Sequence, residues 1–321
     1  MTYRALGLGL LMLATAMPLA TARAAAPAAG AAGTQAPGFF RWRLGAFEIT
    51  AINDRTAMAP MDRVLHGAQP GEIAAAYARD FLPLPVETSH NQFLINTGTK
   101  LILVDTGDGQ QTGPDGGRLT AALAAAGYRP DQVDIVLITH FHADHIGGLL
   151  RDGQRQFPNA VVRADRRELD HWLNPAAEAA ASEGARGGFR IARTVFAPYL
   201  AAGQVKPFDG ATEIAPGIRS IPAYGHTPGH SEYSVESGGQ KLVLLGDALH
   251  AAPVQFADPK VTIAWDSDEA AARAVREKTF ADAAQGGYWI AGAHLPFPGT
   301  GHLRAAGTGY VFVPINYTLN H

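Results

Sequence analysis

The stretch "LITHFHADHIGG", residues 137–148, constrains the fold more than any other part of the chain, because three histidines and an aspartate follow directly on an apolar run. Residues two apart in an extended segment point to the same side, so His140 and His142 can reach one cation. Asp144 and His145 lie where the chain turns into a helix, and they can reach a second cation beside the first. The stretch therefore predicts half of a two-metal site at the end of a buried strand.

Three further turns that follow apolar strands offer the remaining ligands. His226 and His230 lie in "YGHTPGHSEY", Asp247 lies in "LLGDALH" and His294 lies in "IAGAHLPFPG". Nitrogen and carboxylate donors without thiolate suit Zn²⁺ first, with Mn²⁺, Co²⁺ or Fe²⁺ as alternatives. The chain is therefore expected to bind two divalent metal ions.

From Phe39 onward the sequence is typical of an α/β domain, with short apolar strands, glycine-rich turns and alanine-rich helices. Segments 91–107 and 231–247 both read as strand, glycine turn, strand and terminal aspartate, which predicts two similar halves with the site between them. Asp105, at the end of the first hairpin, is expected to orient a metal-bound histidine. Residues 175–188 are predicted to form a mobile loop between two helices, either a lid or a solvated connector.

The motifs "THFHADHIGG", "GHTPGH", "LLGD" and "GAHLPFPG" resemble, in order and spacing, those of the metallo-β-lactamase fold superfamily. The resemblance runs from about residue 39 to the end of the sequence, and it implies an α/β fold of four layers, an αββα sandwich. It also implies a role for each ligand: His140, His142 and His226 for the first metal ion, Asp144, His145 and His294 for the second, and Asp247 as the bridge. His230 would orient a ligand or pack in the core.

Two ligand identities separate the branches of this superfamily. True β-lactamases of the fold carry cysteine or serine in place of Asp247, and diiron oxidoreductases carry glutamate in place of His142. The chain instead resembles the hydrolases with a carboxylate bridge, which include glyoxalase II, N-acyl-homoserine lactonases and methyl parathion hydrolase. The segments "NTGTKLILVDTG", "FPNAVVRAD" and "HLPFPGTGHLRAAGTGYVFVPINY" are most similar to methyl parathion hydrolase and its lactonase relatives.

Differences between this sequence and those relatives indicate which residues line the substrate pocket. His250 stands where the homoserine lactonases carry tyrosine, and Trp265 stands where methyl parathion hydrolase carries an aliphatic residue. Both suggest a narrow, polar pocket suited to a planar ester or lactone. Trp172 either walls this pocket or fastens its helix to the core. Four histidines lack motif support and are expected to be surface or hydrogen-bonded residues: His66, His90, His171 and His302.

Such a site implies metal-dependent hydrolysis of an ester bond without a side-chain nucleophile. Two metal ions would share a hydroxide whose pKa they lower, and they would polarise the substrate oxygen. Asp144 or His250 would carry the proton to the leaving group. We expect a lactone and aryl ester hydrolase with some phosphotriester hydrolysis. The alternatives are a dedicated methyl parathion hydrolase, an N-acyl-homoserine lactonase, and a metal-binding protein without turnover.

Residues 1–24 predict a signal peptide, with Arg4 before an apolar run and small residues around Ala22 for cleavage. Residues 25–38 predict a low-complexity linker, and residues 39–321 the hydrolase domain. The apolar run is shorter than the ~20 residues that a membrane span needs. The absence of cysteine excludes disulfides and a lipoprotein anchor. The chain is therefore expected to be periplasmic or secreted, without a stable membrane anchor.

The expected partner is a small-molecule ester, lactone or phosphotriester. The formal net charge is -3 and the sequence shows no basic block, so nucleic acid is not an expected partner. The aromatic tail "TGYVFVPINY" either packs in a homodimer interface or forms the last strand of the sandwich.

Overall fold

The computed structural model describes Thr2 and residues 30–111, 113 and 116–319. The chain divides into two units, residues 1–36 and 37–321. The predicted signal peptide lies outside the described residues except for Thr2, and so does the first part of the predicted linker. Among the helices that the structure describes, none has both the length and the apolar character that crossing a bilayer requires.

The second unit alternates short strands with helices. The strands in its described part are β1 (Phe39–Leu44), β2 (Phe47–Ala59), β3 (Leu65–His66), β4 (Val86–Asn96), β5 (Leu101–Val104), β6 (Ile135–Leu137), β7 (Leu150–Arg151), β8 (Gln154–Arg155), β9 (Val161–Arg163), β10 (Glu213–Ala215), β11 (Ile218–Pro222), β12 (Ser231–Ser237), β13 (Gln240–Leu244), β14 (Thr262–Ile263), β15 (Trp289–Ala291), β16 (Thr300–Ala306) and β17 (Gly309–Pro314). The α-helices there are α1 (Met61–Val64), α2 (Glu72–Arg79), α3 (Leu119–Ala125), α4 (Ala143–Ile146), α5 (Arg166–Trp172), α6 (Pro175–Ala180), α7 (Arg186–Ala201), α8 (Ala252–Gln255) and α9 (Glu269–Gly286).

The longer strands form two mixed sheets. The first has the order β1-β2-β4-β5-β6-β9, and the second has the order β10-β11-β12-β13-β15-β16-β17. In each sheet an antiparallel hairpin, β4–β5 or β12–β13, is followed by a parallel neighbour, β6 or β15. This repeated arrangement agrees with the sequence echo between 91–107 and 231–247. Because β5 and β6 are parallel, as are β13 and β15, the turns after these strands lie together at one edge of each sheet.

Apolar side chains fill the space between the sheets and cover their outer faces. Ile49 and Val104 of the first sheet share one buried cluster with Tyr233 and Leu244 of the second. Residues of α3, α5 and α7 pack on the outer face of the first sheet, and residues of α9 pack on that of the second. Successive strand residues face opposite sides, so each sheet contributes to two of these layers. The predicted αββα sandwich is confirmed.

The prediction of a mobile loop over residues 175–188 is wrong. Pro175–Ala180 form α6, and Arg186 already belongs to α7. Asn174 caps α6, because its side-chain oxygen accepts a hydrogen bond from the Ala176 backbone N–H. Proline suits the first helical position and alanine has the highest helix propensity, so a short helix forms here without an amphipathic pattern.

The aromatic tail forms β17 at the outer edge of the second sheet, where it pairs with β16. Of the two interpretations of this segment, the last strand of the sandwich is therefore confirmed. A homodimer remains a prediction.

Glu232 is a buried carboxyl group on the face of the second sheet that α9 covers. The Thr279 hydroxyl of α9 lies 3.0 and 3.1 Å from the two carboxyl oxygens and donates to them. Burial raises the pKa of Glu232 to about 8. The folded chain therefore keeps this proton at a pH at which the unfolded chain has released it.

We expect Glu232→Gln to stabilise the protein at pH 8 but not at pH 4.5. In the wild type, a raised carboxyl pKa lowers the free energy of unfolding as pH rises from about 4.5 to about 8. A shift of one pKa unit corresponds to ~1.4 kcal/mol. Allowing for partial relaxation of the site, we expect the free energy of unfolding of the variant to exceed that of the wild type by ~2 kcal/mol at pH 8. Urea unfolding at several pH values measures this difference. Glu236→Gln, an exposed position on the same strand, is the control, and equal pH slopes in Glu232→Gln and the wild type would contradict the expectation.

Candidate functional site

The motif of residues 139–148 lies at the carboxyl end of β6, as its position after an apolar run predicts. His140 is buried, and its ring centroid lies 4.6 Å from that of His142. Helix α4 begins at the next residue, Ala143, and carries Asp144 and His145. The strand ends at Leu137, the loop that follows it carries the two histidines, and the first helical turn carries the other two ligand candidates.

The other predicted ligands come from three turns of the second sheet. His226 lies in the turn after β11, Asp247 lies after β13, and His294 lies after β15. All three side chains are buried. The structure therefore brings ligand candidates from both sheets to one place.

His140, His142, His226 and Asp247 form the first cluster, with one potential ligand atom from each within 4.8 Å of the others. His226 Nε2 lies 3.0 Å from His142 Nδ1 and 3.4 Å from Asp247 Oδ2. His140 Nε2 lies 3.5 Å from the same Asp247 oxygen. Three nitrogens and one carboxylate oxygen thus lie close enough together to be the ligands of a single cation.

His145, Asp247 and His294 form the second cluster, also within 4.8 Å. His145 Nε2 lies 3.2 Å and His294 Nε2 lies 3.3 Å from Asp247 Oδ1. Asp144 Oδ2 completes this group, at 3.6 Å from His145 Nε2 and 3.5 Å from His294 Nε2. Asp247 therefore turns one oxygen to each cluster.

The residues present fit two divalent cations. His140 Nε2, His145 Nε2 and Asp247 Oδ1 are buried and make no hydrogen bond within the described part of the chain. Buried polar atoms without a partner are costly, and these three converge on the same two positions. Imidazole nitrogens and carboxylate oxygens in this number suit Zn²⁺ and similar divalent metals.

Two histidines of the first cluster, His140 and His142, have pKa values that favour the neutral ring. Burial, with a smaller contribution from His226, lowers the pKa of His142 to about 3. Burial and neighbouring His145 lower the pKa of His140 well below its usual value. A neutral imidazole offers the lone pair that a metal ion requires.

Asp247 remains anionic at the centre of the site. Burial opposes its ionisation, but the surrounding histidines, His145 first, hold the pKa of Asp247 well below its usual range. Burial also lowers the pKa of His226, but Asp247 and Asp266 outweigh this effect and raise it to about 9. The same carboxylates that attract a proton to His226 attract a cation that can replace it.

Two carboxylates orient ligand histidines through their Nδ1 atoms. Asp105 Oδ2 lies 2.8 Å from His145 Nδ1, which agrees with the role predicted for Asp105. Asp266 Oδ1 lies 2.8 Å from His226 Nδ1. Sequence reasoning missed Asp266, because it follows no motif and lies 40 residues from its partner. Such pairs fix the ring orientation and raise the basicity of the ligand.

His230 orients Asp247 and is not among the residues that offer a ligand atom to either cluster. It is buried, its Nδ1 hydrogen-bonds to the Ala223 carbonyl oxygen, and its Nε2 accepts from the Asp247 backbone N–H at 3.0 Å. This position agrees with the prediction that His230 orients a ligand or packs in the core.

Glu168 connects the two turns that carry the first cluster. Its buried carboxylate accepts hydrogen bonds from the Phe141 backbone N–H at 3.0 Å and from the Gly229 backbone N–H at 2.7 Å. Phe141 stands between two ligand candidates of the first sheet, and Gly229 belongs to the turn of His226. Burial raises the pKa of Glu168 to about 7.

A cleft of about 440 Å³ opens onto the second cluster. Its lining combines Asp144, Asp247 and His294 with a run of mostly apolar residues, called here the apolar wall: Ala57, Met58, Ala59, Pro60 and Met61. Trp265 lines the rim and is 42% exposed. Trp265 therefore lies where the sequence predicts a substrate-pocket residue.

Trp172 and His250 are not among the residues that line this cleft. Trp172 is buried against Phe189 of α7, and its ring also lies edge-on to that of His142 at 5.6 Å. His250 is also buried, and its Nε2 lies 3.1 Å from Asp247 Oδ2. Its contact with the bridging candidate leaves its ring edge-on to Trp265 rather than in the cleft.

His90 lines the cleft, although the sequence offers no motif for it. Its Nδ1 lies 2.5 Å from Asp108 Oδ2, so it is hydrogen-bonded as expected. Of the other histidines without motif support, His66 is exposed and pairs with Glu269, and His302 packs on Trp289.

Comparison with known proteins agrees with this site. The family model of the Metallo-beta-lactamase superfamily matches residues 85–294. A "Probable metallo-hydrolase" of Mycobacterium tuberculosis is 31% identical over 180 residues, which are 49% of this chain and 56% of that protein. An "N-acyl homoserine lactonase" of Bacillus cereus is 26% identical over 151 residues, 47% of this chain and 52% of that protein. The chain thus spans about half the length of the curated relatives it matches.

Two solved structures are similar over most of the chain. The hydrolase AbOPH of the beta lactamase superfamily is 34% identical with a TM-score of 0.84, covering 89% of this chain and 100% of that one. AidC, a dizinc quorum-quenching lactonase in complex with a product, is 25% identical with a TM-score of 0.77, covering 88% and 98%. The matched family model, the four-layer fold and the paired clusters agree, and the chain belongs to the metallo-beta-lactamase superfamily of hydrolases.

Proposed function

We propose that this protein is a binuclear metal-dependent hydrolase that opens lactones and cleaves aryl esters. The observation that carries the proposal is the position of Asp247, with Oδ2 toward one cluster and Oδ1 toward the other. A carboxylate between two sets of histidines is the arrangement that a two-metal hydrolase needs.

The ligand roles follow from the distances within each cluster. His140, His142 and His226 would hold the first ion, and Asp144, His145 and His294 would hold the second, with Asp247 shared between them. When bound, two divalent ions supply Lewis-acid polarisation of a substrate oxygen and lower the pKa of a water molecule. Asp105 and Asp266 keep two of the histidine rings in orientation.

Two side chains beside the ions are candidates for moving the proton to the leaving oxygen. The Asp144 side chain is 25% exposed and lines the cleft, so its carboxylate can exchange a proton with a substrate. His250 does not line the cleft; it is buried, with its Nε2 at 3.1 Å from Asp247 Oδ2 and its ring stacked on that of His294. We therefore assign the proton transfer to Asp144, and to His250 a role in holding Asp247.

The cleft and the named relatives together support an ester or lactone with an apolar part. The apolar wall and Trp265 can pack against that part, while Asp144, Asp247 and His294 would hold an ion that polarises the carbonyl group. The relatives named as lactonases make N-acyl-homoserine lactones the first lactones to test. Phosphotriester hydrolysis is the second activity to test.

We expect chelation to abolish hydrolysis and Zn²⁺, Mn²⁺ or Co²⁺ to restore it. The reconstituted protein is assayed in parallel with an aromatic lactone, N-hexanoyl-homoserine lactone, an aryl acetate and methyl parathion. The kcat/KM for the better lactone should exceed that for methyl parathion at least ~10-fold, since the pocket contacts decide between substrates. Comparable values would contradict this order, and no turnover with two bound ions would favour a metal-binding protein instead.

A further inference from the structure

His90 occupies a position in the cleft that none of the proposed ligand roles explains. It lies on β4 opposite Arg55, where the register between β2 and β4 shifts. Its side chain is 12% exposed, and its ring lies edge-on to the His294 ring at 5.1 Å. A substrate held beside the second cluster would therefore lie against this ring.

Asp108 fixes which ring nitrogen of His90 carries the hydrogen. The carboxylate of Asp108 is buried and can only accept, so His90 Nδ1, at 2.5 Å from Asp108 Oδ2, is the donor. Asp108 is itself held by its backbone N–H, which donates to Asp54 Oδ2 at 2.9 Å, and by the Arg55 guanidinium at 3.6 Å. In the neutral ring the lone pair is therefore on Nε2.

The Nε2 atom of His90 is free to contact a ligand. It makes no hydrogen bond to any residue that the structure describes. It is also not one of the fully buried polar atoms that lack a partner, so it is not closed off from solvent. It therefore remains accessible from the cleft, which His90 lines. A substrate that displaces water from this atom without offering a donor leaves a hydrogen-bond acceptor unpaired, and that weakens binding.

We propose that His90 is a specificity-determining residue that accepts a hydrogen bond from the substrate, so that the enzyme favours lactones or esters with an N–H or O–H group close to the scissile carbonyl. This inference rests on the proposed function. Aryl esters without such a donor remain substrates of the proposed function but are expected to be hydrolysed with a lower kcat/KM than those with one, and the same holds for phosphotriesters. The apolar wall recognises the rest of the molecule, and His90 selects its polar group.

A different role for His90 is metal binding. A ligand atom of His90 lies within 4.8 Å of those of Asp144 and His294. Its Nδ1 is bonded to Asp108, so Nε2, the atom that we assign to the substrate, is the one that would bind an ion in that role. The number of metal ions bound by a His90 variant therefore distinguishes metal binding from substrate recognition.

The test compares two substrates that differ in one group. N-hexanoyl-homoserine lactone carries an amide N–H, and α-hexanoyloxy-γ-butyrolactone carries an ester oxygen in its place. In the metal-loaded wild type, the ratio of kcat/KM for the amide to that for the ester should be roughly 10. In His90→Phe, which keeps the aromatic contact with His294, the ratio should fall to about 1 with two ions still bound per chain.

Two further variants complete the experiment. His66→Phe is the matched control, because His66 also pairs through Nδ1 with a carboxylate but is exposed and outside the cleft; it should keep the wild-type ratio. Asp108→Asn lets the ring adopt either tautomer and should lower the ratio without loss of metal. Circular dichroism verifies that each variant is folded.

Calorimetric binding of the two ring-opened products to the same proteins gives the amide preference without turnover. If the wild type binds both products but hydrolyses neither lactone, the proposed function fails while the role of His90 is still measured. An unchanged amide preference in His90→Phe would overturn the inference. Loss of one metal ion in that variant would also overturn it, because His90 would then be a ligand.

Discussion

Replacing Asp247 with asparagine is expected to remove at least one of the two metal ions and to lower kcat/KM on the order of a thousandfold. Replacing a residue that only orients a metal ligand typically lowers metal affinity or activity about 10- to 100-fold. A larger loss is expected here because Asp247 faces both clusters directly. The amide group of asparagine has one oxygen and no charge, so it cannot serve two cations. Metal content by mass spectrometry and kcat/KM on the preferred lactone measure the two effects.

The control for this variant is Asp209→Asn. Asp209 is an exposed aspartate that pairs with Arg166, away from the clusters, and its replacement should change neither metal content nor rate. If Asp247→Asn retained two ions with wild-type affinity, Asp247 would not be the bridge, and the two clusters would have to bind their ions independently.

Replacing Glu168 with glutamine is expected to weaken retention of the first ion by about 10- to 100-fold, the range typical of residues that position ligands. Glu168 accepts one backbone N–H from each of the two turns that carry the first cluster. Glutamine can accept only one of them, and its NH₂ group would face the other donor. The two turns should then separate, and with them His142 and His226.

The measurement is metal release to a chelator at pH 8. Because burial raises the pKa of Glu168 to about 7, its carboxylate is ionised at that pH. Glu236→Gln is the control, since it makes the same chemical change at an exposed glutamate of β12 that pairs with Lys241 and lies outside the ligand turns. Equal release rates for the two variants would mean that the bonds of Glu168 do not position the ligands.

The sequence was most informative where the chemistry is local. The spacing of His140, His142, Asp144 and His145 and the apolar run before them lie within one short stretch, so the site and its place after a strand could be predicted together. The hairpin echo was also readable, because each hairpin is continuous in sequence. The four-layer sandwich was predicted from the resemblance of these motifs to those of the metallo-β-lactamase fold superfamily.

What the sequence did not show depends on contacts between distant segments. Asp266 meets His226, Glu168 meets Gly229, and His90 meets Asp108, and no spacing rule connects such pairs. His250 was predicted to line the pocket, but only the structure shows that its ring turns to Asp247. Helix α6 was missed because its alanines form a helix by propensity, without the periodicity that a sequence displays.

The four ligand turns belong to two different sheets, and this has a consequence for how the two sheets are held together. A chain in which only one sheet has formed has an incomplete ligand set for either cation. The ions can therefore act as a removable cross-link, closing long loops of a chain that contains no cysteine. The free energy of binding such ions would stabilise the docking of one sheet on the other rather than either sheet alone, so their removal should weaken the contact between the two sheets first.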